Sequence, residues 1–176
     1  MGTRGFSLIE VLMALVLLVV AVLGVLQLVA LAVSATNSAR VQGLTVTLAS
    51  ARLEQLRTLT FDFDDTGSAT TDLYTNLSTA TPTPGGSGLT TGGSLDTSVG
   101  GYVDHLDRAG QWVGNSTTAP AAAAYTRRWA VTASSLAAGV LVLEVAVFPV
   151  ASPVGNAARA APGSARVATL IGRRQR

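Results

Sequence analysis

Cysteine and lysine are absent from the 176-residue chain, and histidine occurs once, at His105. Without cysteine there is no disulfide scaffold, no thiolate metal site and no cysteine nucleophile. A single histidine leaves hydrolytic triads and multi-histidine metal centres short of parts. The inventory argues against an enzyme and offers no catalytic group, metal ligand set or cofactor site. Charge is sparse as well. Charged residues make up 12% of the chain against 48% hydrophobic ones, a dry composition for a soluble domain of this size. All 12 basic residues are arginine and the net charge is only +2, too little to imply nucleic acid as a partner. Proline is also scarce, six in all, and none precedes Pro82, so nothing forces an early helix to break.

The apolar residues are concentrated near the start. From Val11 to Val33 only Gly24 and Gln27 interrupt a run of Ala, Val, Leu and Met. As a helix this run is about 34 Å long, enough to cross a hydrocarbon core of ~30 Å. It is too long for the ~7–15-residue core of a cleaved secretory signal. Arg4 is the one basic residue before it and favours a cytoplasmic N-terminus, with the large remainder of the chain outside. Beyond the run, Arg40 to Leu59 keeps helical spacing. Leu44, Leu48 and Ala51 form one stripe, Val46, Ala49, Leu53 and Leu56 another, with Arg52, Glu54 and Arg57 as the expected wet face. One helix of about 50 residues is expected, half in lipid and half packed on a soluble domain.

Glu10 interrupts what is otherwise apolar sequence from Phe6 onward. An ionised side chain within a bilayer costs a few kcal/mol and usually has a partner. The simplest account is a carboxylate at the helix end that reaches the headgroups. The surrounding residues suggest more. The stretch Gly5-Phe6-Ser7-Leu8-Ile9-Glu10-Val11-Leu12, preceded by Arg4, resembles the N-terminus of type IV prepilins and type II secretion pseudopilins. The resemblance covers about 30 residues: a short leader with a basic residue and a terminal glycine, a Phe, a Glu five residues into the mature chain, and an apolar helix. It implies that a membrane prepilin peptidase cuts between Gly5 and Phe6 and methylates the new Phe6 amine. That cationic amine would lie against Glu10 of a neighbouring subunit in a staggered bundle. In low dielectric such a pair selects register, because an unpaired charge is penalised.

From Asp64 to Ser98 the composition shifts to Thr, Ser, Gly and Pro, which make up 23 of these residues. A flexible exposed loop is expected there. Strand patterns follow. Tyr102-Val103 and Gln111-Trp112-Val113 flank an Asp107-Arg108-Ala109-Gly110 turn. Thr126 to Thr132 alternates with Tyr125, Trp129 and Val131 on one face, and Val140–Phe148 and Arg166–Ile171 complete about four antiparallel strands. The apolar face of such a sheet needs a cover, and the amphipathic half of the helix is available. The expected fold is therefore α+β and pilin-like: a long N-terminal helix, membrane-spanning in its first half, packed on a small antiparallel β-sheet. The expected divisions are a leader at 1–5, the membrane and assembly half of the helix at 6–33, and its amphipathic half at 34–61. A Thr/Gly/Ser-rich loop at 62–100, the sheet at 101–172 and a basic tail at 173–176 complete them.

Other candidates carry less. Asp62-Phe63-Asp64-Asp65-Thr66-Gly67 imitates a calcium loop, but Leu73 stands where the bidentate Glu belongs, so a solvated acidic turn is the better reading. Arg159, Arg166, Arg173, Arg174 and Arg176 have no interleaved aromatics and read as a solvated tail, although a grip on phosphate stays open. Asn76 and Asn115 begin Asn-x-Ser/Thr triplets, which are common by chance. His105 reads as a hydrogen-bonded loop residue, and Glu144 as facing solvent or pairing with Arg127 or Arg128.

The resemblance implies a structural minor pilin of a type IV pilus, since a disulfide loop and helix prolines are missing. Its partners would be the prepilin peptidase, other pilin or pseudopilin subunits and an inner-membrane assembly platform. It would be single-pass in a bacterial cytoplasmic membrane before entering a pilus or pseudopilus. A minor pseudopilin of type II secretion, a DNA-uptake pilus subunit and an uncleaved membrane-anchored binding module remain as alternatives.

Overall fold

The computed structural model describes residues 7–63, 69–137, 139–150 and 163–172. A single helix, α1, runs Leu8–Thr58. The chain divides into two compact units, residues 1–40 and 41–176, and α1 contributes to both. After α1 come β1 (Phe61–Phe63), β2 (Ala69–Thr71), β3 (Thr75–Asn76), β4 (Thr83–Pro84) and β5 (Gly92–Gly93). Then follow β6 (Val103–Leu106), β7 (Trp112–Gly114), β8 (Tyr125–Ala133), β9 (Val140–Pro149) and β10 (Ala165–Gly172). The fold class is α+β, as expected: a long apolar N-terminal helix, whose later part packs on an antiparallel sheet.

In the second unit the sheet order is β10-β9-β8-β6-β7, with β5 continuing beside β8, and every pairing is antiparallel. Alternation along β8 sends Tyr125, Arg127, Trp129 and Val131 to one face. Register places Val147, Val145 and Leu143 of β9 opposite Arg127, Trp129 and Val131. This face meets Ala49, Leu53 and Leu56 of α1, and the cluster is completed by Leu77, Leu89, Tyr102 and Leu106. Burying a leucine such as Leu56, fully enclosed here, is worth about 1.5–3 kcal/mol. The helix ends as Glu54 and Arg57 pair one turn apart, 2.7 Å between them, and the Leu59 amide bonds the Leu56 carbonyl.

Two expectations about this helix need correction. Arg52 is not on a wet face; it is 2% exposed and sits at the centre of the buried stripe Thr45, Ala49, Arg52, Leu56. Ala51 and Val46 are exposed instead. The spacing four-three-four defines the stripe, and a charge is tolerated in it because the sheet supplies a counter-charge, described below.

The Thr/Gly/Ser-rich stretch, where described, is irregular but packed. It gives Leu77 and Leu89 to the helix-side core and Leu95 to a second cluster with Ala130, Ala146 and Phe148 on the sheet's other face. Arg128 holds Leu95 there, its guanidinium donating to the Leu95 and Asp96 carbonyls and to Ser98 Oγ. At Gly93, φ is +82° and a Cβ would lie 2.2 Å from the Trp129 carbonyl oxygen, so only glycine brings this segment against β8. The Asp107–Gly110 turn forms as expected: Asp107 N–H donates to the Gln111 carbonyl and Gly110 takes φ +80°.

Candidate functional site: the exposed helix and its carboxylate

Every described residue of the first unit, 7–40, is exposed. The side chains from Val11 to Val33 therefore form a continuous surface that is apolar except at Gln27, with Leu17, Leu28 and Leu31 each about two-thirds exposed. A soluble monomer rarely exposes more than a few hundred Å² of contiguous apolar surface. The helix is long and apolar enough to cross a membrane, and its backbone groups are satisfied internally, as a hydrocarbon environment requires. Its few hydroxyls follow the same logic: Ser34 donates to the Leu31 carbonyl and Thr36 to that of Ala32.

Glu10 lies in the first turn. The Glu10 and Val11 amides both donate to the Ser7 carbonyl, at 3.0 and 3.3 Å, which puts Ser7 at the cap position and Glu10 third in the helix. This is the spacing of a capping box, in which Ser and Glu satisfy the first free amides, and a carboxylate there is also favoured by the helix dipole. Local chemistry thus gives Glu10 a structural use besides any intermolecular one. Along the axis, no further charge appears until Arg40, about 45 Å away. The proposed cleavage pair Gly5 and Phe6, and Arg4 with them, lie outside the described residues.

The second unit contains a charged cluster that sequence reasoning missed. Asp104 of β6 is fully buried and faces Arg127 directly across the strand pair. Its Oδ1 accepts from Arg127 Nε at 3.0 Å and its Oδ2 from Arg127 Nη2 at 2.7 Å, a two-pronged pairing. The same Oδ2 accepts from Arg52 Nη2 of α1. Arg52 Nη1 donates to the Leu77 carbonyl, and its guanidinium lies 4.9 Å from the Trp129 ring centre. Arg127 Nη1 donates back to the Leu48 carbonyl of α1 at 3.1 Å. One carboxylate and two guanidinia thereby tie helix, sheet and the Leu77 segment together. Burial, then the charge of Arg127, lower the Arg52 pKa to about 10 against the opposing pull of Asp104. The signal was present: Arg52 falls in helical register between Ala49 and Leu56.

The remaining candidates resolve individually. His105 is a buried strand residue rather than a loop one, its Nε2–H donating to the Ser116 carbonyl at 2.8 Å while Nδ1 meets Thr126 Oγ1 at 3.1 Å. With both nitrogens bonded it is spent on structure. Glu144 pairs with Arg166, not with Arg127 or Arg128, because β10 places Arg166 on its face of the sheet. Asn76 Oδ1 accepts from the Ser78 amide and hydroxyl, and Asn115 donates to Ser78 Oγ, so both triplet asparagines stabilise one loop. Among the described residues, no three acidic or histidine side chains are grouped to hold a metal ion. Asp64, Asp65, Thr66 and Gly67 lie outside them, as do Arg159, Arg173, Arg174 and Arg176.

A scan against protein-family models gives no match, and neither the curated proteins nor the solved structures contain one.

Proposed function

We propose that the chain is a minor pilin, a structural subunit of a type IV pilus. In this reading a prepilin peptidase removes residues 1–5 and methylates Phe6. The subunit waits in the cytoplasmic membrane with residues 41–176 outside, and an assembly platform draws it into the filament. The observation that carries the reading is one carboxylate, Glu10, in the first turn of a helix that is otherwise bare and, except at Gln27, apolar from Leu8 to Val33, directly after the Gly5-Phe6 pair. A bare Leu/Val surface supplies packing area with little register information. A cationic Phe6 amine from one subunit against Glu10 of the next supplies that register.

A minor pseudopilin of a type II secretion system or a DNA-uptake pilus subunit uses the same helix chemistry. These differ from the pilus role in their neighbours rather than in their residues. An uncleaved membrane-anchored binding module needs no cleavage at all. The test is the intact mass of the protein extracted from membranes, with N-terminal fragmentation. Loss of Met1 to Gly5 and a gain of about 14 Da on Phe6 is the expected result. An unprocessed N-terminus in cells with active prepilin peptidase defeats the reading in favour of the anchored module.

A further inference from the structure

A half-open hollow of about 490 Å³ lies in the second unit, between the β1–β2 pair, the chain at Leu73 and Leu89, and the end of the β8–β9 hairpin. Main-chain hydrogen bonds tie each of its walls. Phe61 and Thr71 are partners in the β1–β2 pair, and the Asp72 amide donates to the Thr60 carbonyl at 2.9 Å. The Leu89 amide donates to the Asp72 carbonyl at 2.6 Å, which draws the chain at 89–91 against Leu73. The Tyr102 hydroxyl then holds the Thr90 carbonyl at 2.8 Å. Across the hollow, the Ser134 amide donates to the Val140 carbonyl at 2.8 Å and closes the hairpin end. The walls thus keep their shape without an occupant, as those of most small-molecule sites do.

The lining has two kinds of surface. Leu89 and Leu141 are buried beneath it, Phe61 packs on the same core, and Leu73 is 42% exposed at the mouth. Thr71, Thr90 and Thr91 add hydroxyls that bond no other described residue. Among the described residues no charged side chain lines the hollow. The neighbouring carboxylate, Asp72, is spent on the Tyr74 and Thr75 amides. We propose that this hollow binds a small neutral molecule with an apolar body and a hydroxyl or carbonyl group. Its volume falls within the ~300–1,000 Å³ usual for such ligands. The apolar body covers the leucines and Phe61, and a threonine hydroxyl, able to donate or accept, meets the polar group. An ionised ligand would give up water and find no counter-charge.

The test titrates the full chain, in detergent micelles and isotope-labelled at its leucine and valine methyls, with cyclohexanol. Saturable NMR shifts are expected at Leu73, Leu89, Val140 and Leu141, while Leu95 on the sheet's other face stays unmoved. Cyclohexanecarboxylate and cyclohexylammonium at neutral pH should each bind at least about tenfold more weakly. Leu73→Trp fills the mouth and should abolish the shifts at Leu89 and Leu141 without moving the unfolding midpoint. Thr90→Val/Thr91→Val should weaken cyclohexanol binding roughly fivefold. Shifts that never saturate, that are confined to residues 8–33, or that persist in Leu73→Trp overturn the site. Equal binding of either ion, or indifference to the threonine pair, overturns the ligand class. The site-resolved shifts are read in the unmodified chain, so a variant that fails to fold leaves the decision intact.

Discussion

Residues 8–40 of the long helix are exposed without exception and carry charge only at Glu10 and Arg40, whereas residues 41–58 of the same helix bury a guanidinium at the centre of their packing stripe. The first stretch has uniform composition and a continuous apolar surface. The second is mixed, and its buried residues recur at four-three-four spacing. In water, apolar burial drives the second stretch onto the sheet, and the sheet can offer Asp104 to a charge that is carried along. In hydrocarbon there is no such drive between helices, and polar contacts and close packing supply what specificity there is. Charge is therefore used in opposite ways: enclosed and matched within one chain in the second stretch, left open at the end of the first.

The comparison can be broken most forcefully at Asp104. Asp104→Ala leaves Arg52 and Arg127 buried and facing each other, so the second unit should lose about 3–5 kcal/mol, read by urea unfolding in detergent. Replacing all three charges together (Arg52→Met, Asp104→Leu, Arg127→Met) should recover most of that loss, since a buried triad exchanged for apolar packing is often neutral or better. A triple variant as unstable as Asp104→Ala would mean that the charges themselves, and not the unmatched pair, hold the helix down.

A leucine pair measures the difference between the two stretches directly. Leu56→Ala should cost about 2–5 kcal/mol in the same unfolding assay, while Leu18→Ala, at an exposed position, should stay within about 0.5 kcal/mol. Equal effects would remove the distinction drawn here.

Glu10 sharpens the comparison at its other end. Glu10→Gln keeps the capping-box geometry but not the charge, so the unfolding midpoint of the second unit should be unchanged, while on the pilin reading proposed above incorporation into filaments falls below detection by immunoblot. Normal incorporation would leave Glu10 with only its local role as a helix-start residue.

The surface pair Arg166–Glu144 should matter least: Glu144→Gln is expected to cost less than about 1 kcal/mol. Asp72 adds a comparably small acid dependence. The Thr75 hydroxyl and the Tyr74 and Thr75 amides hold its pKa below the ordinary 3.8. The folded state thus binds fewer protons than the unfolded one in that range, and the contribution is full above about pH 4 and fades below it. Asp72→Asn should flatten that acid limb of the stability curve, measured by urea midpoints between pH 2 and 5.

The helix, the hairpin around Asp107–Gly110 and the three longer strands were legible because each rests on local periodicity or turn chemistry. Glu10 stood out because a charge within an apolar run is conspicuous in one dimension. Arg52 did not, since an arginine near Glu54, Gln55 and Arg57 looks like part of a solvated face until its partner from β6 is known. That partner, Asp104, lies 52 positions further on, a distance across which no sequence period carries information. The Thr/Gly-rich stretch misled for a related reason: Leu77, Leu89 and Leu95 are too widely spaced to form a pattern, yet each finds a separate place in the core.

That long separation also makes Asp104 a meeting point for distant parts of the chain. A helix forms in under a microsecond and a hairpin within microseconds, each from neighbours in sequence. Asp104 and Arg127, 23 positions apart on paired strands, can meet as soon as β6 and β8 zip together. Arg52 reaches the same carboxylate across a separation of 52 positions, a loop a little more than twice as long, whose closure costs only about 0.7 kcal/mol more. Without Arg52 the carboxylate would keep only Arg127 as a charged partner. Asp104 is in this sense a latch between three segments, its carboxylate fully matched and dry only when the helix brings its guanidinium to the paired strands.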